Sequence, residues 1–170
     1  LRIAINKKVI SISLRKRLKP KLNFDLKLVK LKREKPQFKN LKYKKILSYL
    51  SKMNNSKSDI ALVSNNKILE TGTSNILFVK DEEIFTPKKG YYEGNTYKFF
   101  KTKIKKIIKK DILIKDIKKY DEILLIGSGK GVTSVKRIKE IKWKRKNLRI
   151  FRFLLRHYNN VINKCNSYRF

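Results

Sequence analysis

The segment from Asp59 to Thr86, DIALVSNNKILETGTSNILFVKDEEIFT, limits the fold more than any other part of the chain. Residues 59–64 and 67–70 are short apolar runs on either side of Asn65-Asn66, a pair that accepts positive φ in a tight turn. Residues 75–80 and 83–86 repeat the arrangement around Asp81-Glu82. Two hairpins in succession commit the middle of the chain to a sheet. Between them Glu70 closes one strand with a carboxylate, a Thr-Gly-Thr-Ser loop follows, and Asn75 opens the next strand. A carboxylate and small polar residues gathered at strand ends suit a ligand site.

Strand-like alternation also runs through residues 1–14 and 26–31 (LKLVKL), and residues 122–126 (EILLI) read as a buried strand. Residues 111–116 read as a short strand and 132–141 as two. The period changes over residues 41–53, where Tyr43, Ile46, Leu47, Leu50 and Met53 share one helical face. Asn95 or Thr96 is the expected cap of a helix bearing Phe99, Phe100, Ile104, Ile107 and Ile108. A last helix over about residues 147–163 places Leu148, Phe151, Leu155, Tyr158 and Ile162 on one stripe, with an Arg-rich opposite face. No repeat or low-complexity linker divides the chain. The pattern is α/β in the mixed α+β sense, within a single domain of residues 1–170.

The chain carries 46 Lys and Arg against 13 Asp and Glu, a formal net charge of +33. Such a surface fits RNA or another polyanion as partner, through counterion release. The competing reading is a Lys-, Asn- and Ile-rich composition applied to the whole surface. Lys outnumbers Arg and is spread from end to end, whereas specific nucleic-acid readers concentrate Arg in one patch. That favours the compositional reading, with no specific nucleic-acid partner. No apolar run approaches the ~20 residues of a membrane-spanning helix. Residues 1–20 lack the apolar core of a signal peptide. A single cysteine, Cys165, excludes an intrachain disulfide framework and fits a reducing, cytoplasmic setting. His157 is the only histidine, no Cys/His metal spacing exists, and no metal is expected.

Two turns are suited to an anion. Residues 127–131 (GSGKG) follow a strand but lack the upstream Gly and adjacent Ser or Thr of a Walker loop, and the third Gly and long helix of a dinucleotide loop. What remains is a turn with backbone N–H groups and the Ser128 hydroxyl, enough for one phosphate. In residues 93–100 (EGNTYKFF), Gly94 permits close backbone approach, and Asn95 and Thr96 open a helix whose first amides favour a phosphate. A plain helix cap is the simpler account of that segment. Glu70 taken alone is a solvent-facing strand end, and Lys39 taken alone is one surface lysine among dozens.

In order along the chain, these segments resemble the class IV (fold type IV) pyridoxal-phosphate-dependent aminotransferases. FKNLKYKKIL resembles the segment in which that family's cofactor lysine is followed four residues later by Tyr. ILETGTSNILFVKDEEIFTP is similar to its Glu, small-polar loop, Asn-aliphatic-Phe and Thr-Pro sequence. YYEGNT resembles its helix start, and YDEILLIGSGKGVTSVKRI its Asp-Glu strand, phosphate turn and closing Val strand.

The resemblance implies the large cofactor-binding domain of the D-amino-acid aminotransferase-like fold, with hairpin-rich sheets and flanking helices. It implies pyridoxal 5'-phosphate as cofactor, Lys39 as the catalytic lysine that links to it, and Glu70 as partner of the pyridine nitrogen. Tyr43 would bond the ring's phenolic oxygen. Gly94, Asn95, Thr96, Gly127 and Ser128 would hold the phosphate, and Thr73, Ser74 and Gly129 would face the substrate. The family usually has an aliphatic residue at position 95, Arg at 97 and Thr at 128. Residues 1–14 match the chain leaving the interdomain linker, and nothing in the chain corresponds to the family's N-terminal small domain. The loop 70–75 lacks the glycine-rich form common in branched-chain transaminases and looks more like aminodeoxychorismate lyases, which release 4-aminobenzoate and pyruvate in folate biosynthesis. The expected partners are a small amino-acid substrate and a second copy in a homodimer. A branched-chain or D-amino-acid transaminase is the alternative within the family; a basic RNA-associated protein or an inactive fragment is the alternative outside it.

Overall fold

The structure, a computed structural model, describes residues 2–5, 7–14, 20–39 and 42–164. Residue 41, where the expected helical period starts, and Cys165 lie outside the described residues. β1 (Arg2–Ile5) and β2 (Ile10–Ser13) form a two-stranded antiparallel sheet of their own, with Ile3, Ile5, Ile10 and Ile12 exposed.

The other strands make one large mixed sheet. They are β3 (Asn23–Lys30), β4 (Ser58–Ser64), β5 (Lys67–Thr71), β6 (Asn75–Lys80), β7 (Glu83–Pro87), β8 (Ile107–Lys110), β9 (Ile112–Leu113), β10 (Glu122–Gly127) and β11 (Gly131–Ile138). They run in the order β8-β7-β6-β10-β11-β3-β4-β5-β9, and β12 (Trp143–Lys144) adds to β11. The pairs β11/β3, β3/β4 and β7/β8 are parallel and the rest antiparallel. Both hairpins form where the turn residues place them. Asn65 and Asn66 take φ of 49° and 58°, and Asp81 and Glu82 take 50° and 65°. Two successive positive φ values give the turn whose twist matches that of the strands it joins.

β5 and β6 are far apart in strand order, yet only Gly72–Ser74 connects them, and Thr71 N donates to Ser74 O at 3.1 Å. So short a link brings the two strands together at one end, and the sheet between them must curl. The concave side of the curl holds the main core, which includes Phe24, Ala61, Ile68, Ile76, Phe78, Ile123, Leu125 and Val135. The intervening residues Leu77, Val79, Leu124 and Ile126 face outward and meet α2 (Asn95–Lys103) and α3 (Arg149–Lys164) through Tyr97, Phe100, Phe151 and Leu154. α1 (Lys44–Leu50) covers Ile60 and Leu62 with Ile46 and Leu50. Strands covered on both faces read as unbroken apolar runs, as ILFV and EILLI do.

Several expectations change. α1 is only seven residues, and Leu47 is half exposed rather than on the buried face. α2 stops at Lys103, and Ile107 and Ile108 instead pair with Ile84 and Phe85 in β8. Those isoleucines fit the helical period by spacing, but β-branched side chains pack as well on a strand. The expected strand over 111–116 shortens to β9, followed by a 3-10 helix at Ile114–Lys119. The two strands expected over 132–141 are one, β11, with a bulge between Val135 and Arg137. In α3 the buried contacts are Phe151 and Leu154, and Ile162 is half exposed.

Candidate active site

β3, β4, β6 and β11 begin, and β5 and β10 end, at the same end of the curled sheet. Loops at such strand ends are placed by the sheet and free to carry chemistry. Glu70, the penultimate residue of β5, is there and only 3% exposed. Its Oε1 accepts a hydrogen bond from Arg33 Nε at 2.7 Å, and its Oε2 one from Tyr92 N at 3.4 Å. A second branch of the Arg33 guanidinium donates to Gly72 O at 3.4 Å, and the cation lies 5.9 Å from the centre of the Tyr43 ring. Burial pushes the Glu70 carboxyl above its ordinary range, and the Arg33 cation works against that shift.

From Glu70 a string of polar contacts leads across the site. Asn75 Nδ2 donates to Tyr92 O at 2.6 Å, and Asn75 Oδ1 accepts from Gly94 N at 3.1 Å. Gly94 caps α2 with extended backbone and, being glycine, offers the first helical amides no side-chain cap. Such amides form an anion-binding end. Thr96, in the first turn, sets its hydroxyl 3.5 Å from that of Ser128 in the turn between β10 and β11. Gly127 abuts the other loop: a Cβ there would stand 3.4 Å from Ser74 Oγ.

A second polar group adjoins the first. Asp59, fully buried at the head of β4, accepts from Ile60 N at 2.8 Å on Oδ1. Its Oδ2 accepts from Thr71 Oγ1 at 2.9 Å, from Thr73 Oγ1 at 2.8 Å and from Lys130 Nζ. The Lys130 side chain is 10% exposed, and its ammonium sits 4.4 Å from the centre of the Phe24 ring. Burial lowers the Lys130 amine below the usual lysine range, and Asp59 opposes the shift.

The structure therefore brings together Tyr43, Glu70, Thr73, Ser74, Gly94, Thr96, Gly127 and Ser128, directly or through one residue. Asn95 is exposed at the start of α2, and Gly129 is exposed at the tip of its turn. The expectation that Asn95 or Thr96 caps α2 is corrected, since Gly94 holds that place. Lys39 is exposed on the segment that leads into α1 and makes no hydrogen bond or ion pair among the described residues. Beside that segment, Leu31, Arg33, Tyr43 and Ile46 line a cleft of about 450 Å³.

Sequence reasoning missed Arg33, Asp59 and Lys130. Arg33 hides in the basic run KLKREKP, and Lys130 is one lysine of many. Asp59 left a trace: it is an acid set directly against a buried apolar run in a chain with few acids. Among the described residues no group of His, Cys, Asp and Glu could hold a metal ion, and no helix is long and apolar enough to cross a membrane.

No curated protein matches the chain. Solved structures do. A branched-chain aminotransferase from Thermoproteus uzoniensis, determined with norvaline, superposes with a TM-score of 0.72 at 17% identity, over 90% of this chain and 56% of that one. A protein of Legionella pneumophila assigned as 4-amino-4-deoxychorismate lyase gives 0.71 at 18% identity, over 89% and 60%. The branched-chain amino acid aminotransferase of Thermobaculum terrenum, in its PLP form, gives 0.68 at 18%, over 82% and 50%. At these identities the likeness is one of fold: the large mixed sheet and few helices are those of the fold type IV enzymes. The chain spans about half to three-fifths of the length of these structures. The family model for amino-transferase class IV matches residues 9–138, well over half of the chain, and this is a family of pyridoxal-phosphate enzymes. The chain belongs to the class IV aminotransferases.

Proposed function

We propose that this chain supplies the pyridoxal-phosphate-binding part of a class IV enzyme acting on a small amino-acid substrate, a 4-amino-4-deoxychorismate lyase before a branched-chain or D-amino-acid transaminase. The observation that carries the reading is the connected string of polar groups from Arg33 and Glu70 through Tyr92, Asn75 and Gly94 to Thr96 and Ser128.

The residues present fit the cofactor. At one end of the string is a buried carboxylate, held beside an Arg cation that favours its ionised form. At the other, two hydroxyls lie 3.5 Å apart at the start of a helix whose N-cap is a glycine. Those are a partner for a ring N–H and a cradle for a phosphate dianion. When bound, pyridoxal phosphate supplies an electron sink for charge developing on the substrate.

The chain's own residues divide the remaining work. Thr96, Ser128 and the amides at Gly94–Thr96 hold the phosphate oxygens, with Gly127 letting the backbone approach. Glu70 keeps a proton on the ring nitrogen. Tyr43 orients the ring through its phenolic oxygen. Lys39 provides the amine that takes and returns the substrate proton. Thr73, Ser74 and Gly129 border the space left for substrate. The lyase is placed first because the loop Thr71–Ser74 has one glycine rather than a glycine-rich form. The reading carries a homodimeric, cytoplasmic enzyme.

The test uses the protein as its gene encodes it. Incubation with pyridoxal phosphate followed by borohydride should attach the cofactor irreversibly to Lys39, located by peptide mapping, and Lys39→Ala should abolish the label. Labelling that survives Lys39→Ala rejects the assignment of Lys39. Pyruvate release from 4-amino-4-deoxychorismate identifies the lyase, and amino transfer to a 2-oxo acid identifies the transaminase. Sedimentation decides the dimer.

A further inference from the structure

One buried carboxylate, Asp59, touches both loops of the site without belonging to the string of groups assigned to the cofactor. Its Oδ2 takes the hydroxyls of Thr71 and Thr73, which follow Glu70 in the chain, and the ammonium of Lys130, which follows Ser128. Gly72 is pressed onto the same strand. Its N–H donates to Ile60 O at 2.9 Å, and a Cβ there would stand 2.9 Å from Ile60 Cγ1 and 3.1 Å from Asp59 Oδ1. The loop after Glu70 is thus fixed to the head of β4. A Cβ at Gly129 would meet nothing within 4 Å, so the tip of the glycine turn has open space around it. Lys130 reaches from that turn into the interior, across the Phe24 ring and onto Asp59.

We infer that the Asp59–Lys130 ion pair sets the separation of Glu70 from Ser128, with Asp59 and Lys130 as positioning residues that act through the two loops. A buried ion pair adds little net stability over an apolar replacement of the same shape, because desolvation offsets the attraction. Charge-assisted hydrogen bonds do fix geometry, since their strength depends on short, directed contacts. Asp59 is satisfied by four donors, so the ammonium has a defined place to lie rather than a choice of acceptors. The inference rests on the proposed function in one respect: the separation it sets is that between the partner of the ring nitrogen and the partner of the phosphate.

The experiment compares Lys130→Met and Lys130→Arg with the unaltered protein, measuring affinity for pyridoxal phosphate and for pyridoxal, which lacks the phosphate. Lys130→Met should weaken pyridoxal phosphate by about ten-fold or more while changing pyridoxal by less than about two-fold, as expected when a charge-assisted tether is lost. Lys130→Arg, which keeps a cation for Asp59, should recover most of the loss. Equal weakening of both ligands, or of neither, overturns the inference. Hydrogen exchange gives a readout that needs no cofactor. In Lys130→Met the amides of residues 72–74 should exchange faster together with those of 128–131, while those of α3 stay unchanged. Unaltered protection at 72–74 overturns the coupling. If the unaltered protein binds neither ligand, the functional reading fails and the exchange result alone decides the pairing.

Discussion

The guanidinium of Arg33 lies 2.7 Å from the carboxylate of Glu70, and the two side chains are 13% and 4% exposed. The contact joins the segment after β3 to the end of β5, across a gap of 37 residues. Removing one partner strands the other charge in a poorly solvated place. Arg33→Met should therefore cost roughly 3–5 kcal/mol in urea unfolding, and Arg33→Met with Glu70→Leu should recover most of it. A double variant no better than Arg33→Met would show that the pair is not energetically coupled.

The same burial gives a pH signature. Glu70 has its folded-state pKa raised, by burial first, so the folded chain keeps this proton at a pH where the unfolded chain has released it. Stability from this group is therefore full below the unfolded pKa of about 4.5 and falls as pH rises toward the folded value. Glu70→Gln removes the titration. The stability of Glu70→Gln relative to the unaltered chain should rise with pH from about 4.5 upward, read from urea midpoints. A difference that is flat or falls with pH contradicts the assigned direction.

Gly131 has φ of +67°, and a Cβ there would stand 2.8 Å from Tyr158 Cε1. Both facts oppose a side chain. Gly131→Ala should cost at least about 1–2 kcal/mol from the backbone alone. Adding Tyr158→Ala to it should return only the part due to the clash. Gly129→Ala, with open space around it, should fall within about 0.5 kcal/mol of neutral. Thermal unfolding of the set distinguishes strain from crowding.

Glu122 is fully buried, and its two carboxylate oxygens accept from Ile150 N at 2.8 Å and Phe151 N at 2.9 Å. A residue of β10 thereby caps α3 from a distance. Glu122→Ala should cost about 0.5–2 kcal/mol, the usual range for a lost cap, with a matching loss of helical circular dichroism. An unchanged helix signal and an unchanged midpoint would deny it that role.

Much of this architecture is legible in the residues, for reasons that differ by element. Asn65-Asn66 and Asp81-Glu82 announce hairpins because few residue pairs tolerate two positive φ values. The doubly buried strands are legible from their length and flanks. Ile107 and Ile108 mislead because helical spacing and β-branched character point to different elements, and pairing with β7 decides between them. Leu47 misleads because α1 is too short to present a full stripe. In the site, Glu70, Thr96 and Ser128 stand out as polar residues at strand and helix ends. Arg33 and Lys130 do not, since their partners lie 37 and 71 residues away. A basic residue in a basic chain carries no mark of which acid it will meet.

The link from β5 to β6 is only Gly72–Ser74, and it closes the curl of the sheet while bordering the site. An added residue there would lift the loop off β4 and open the seam where the sheet meets itself. Added length should be better tolerated around residues 32–39 or 88–93 than at the seam itself. What borders the site at this seam is then set by the identity of three residues in a link of fixed length.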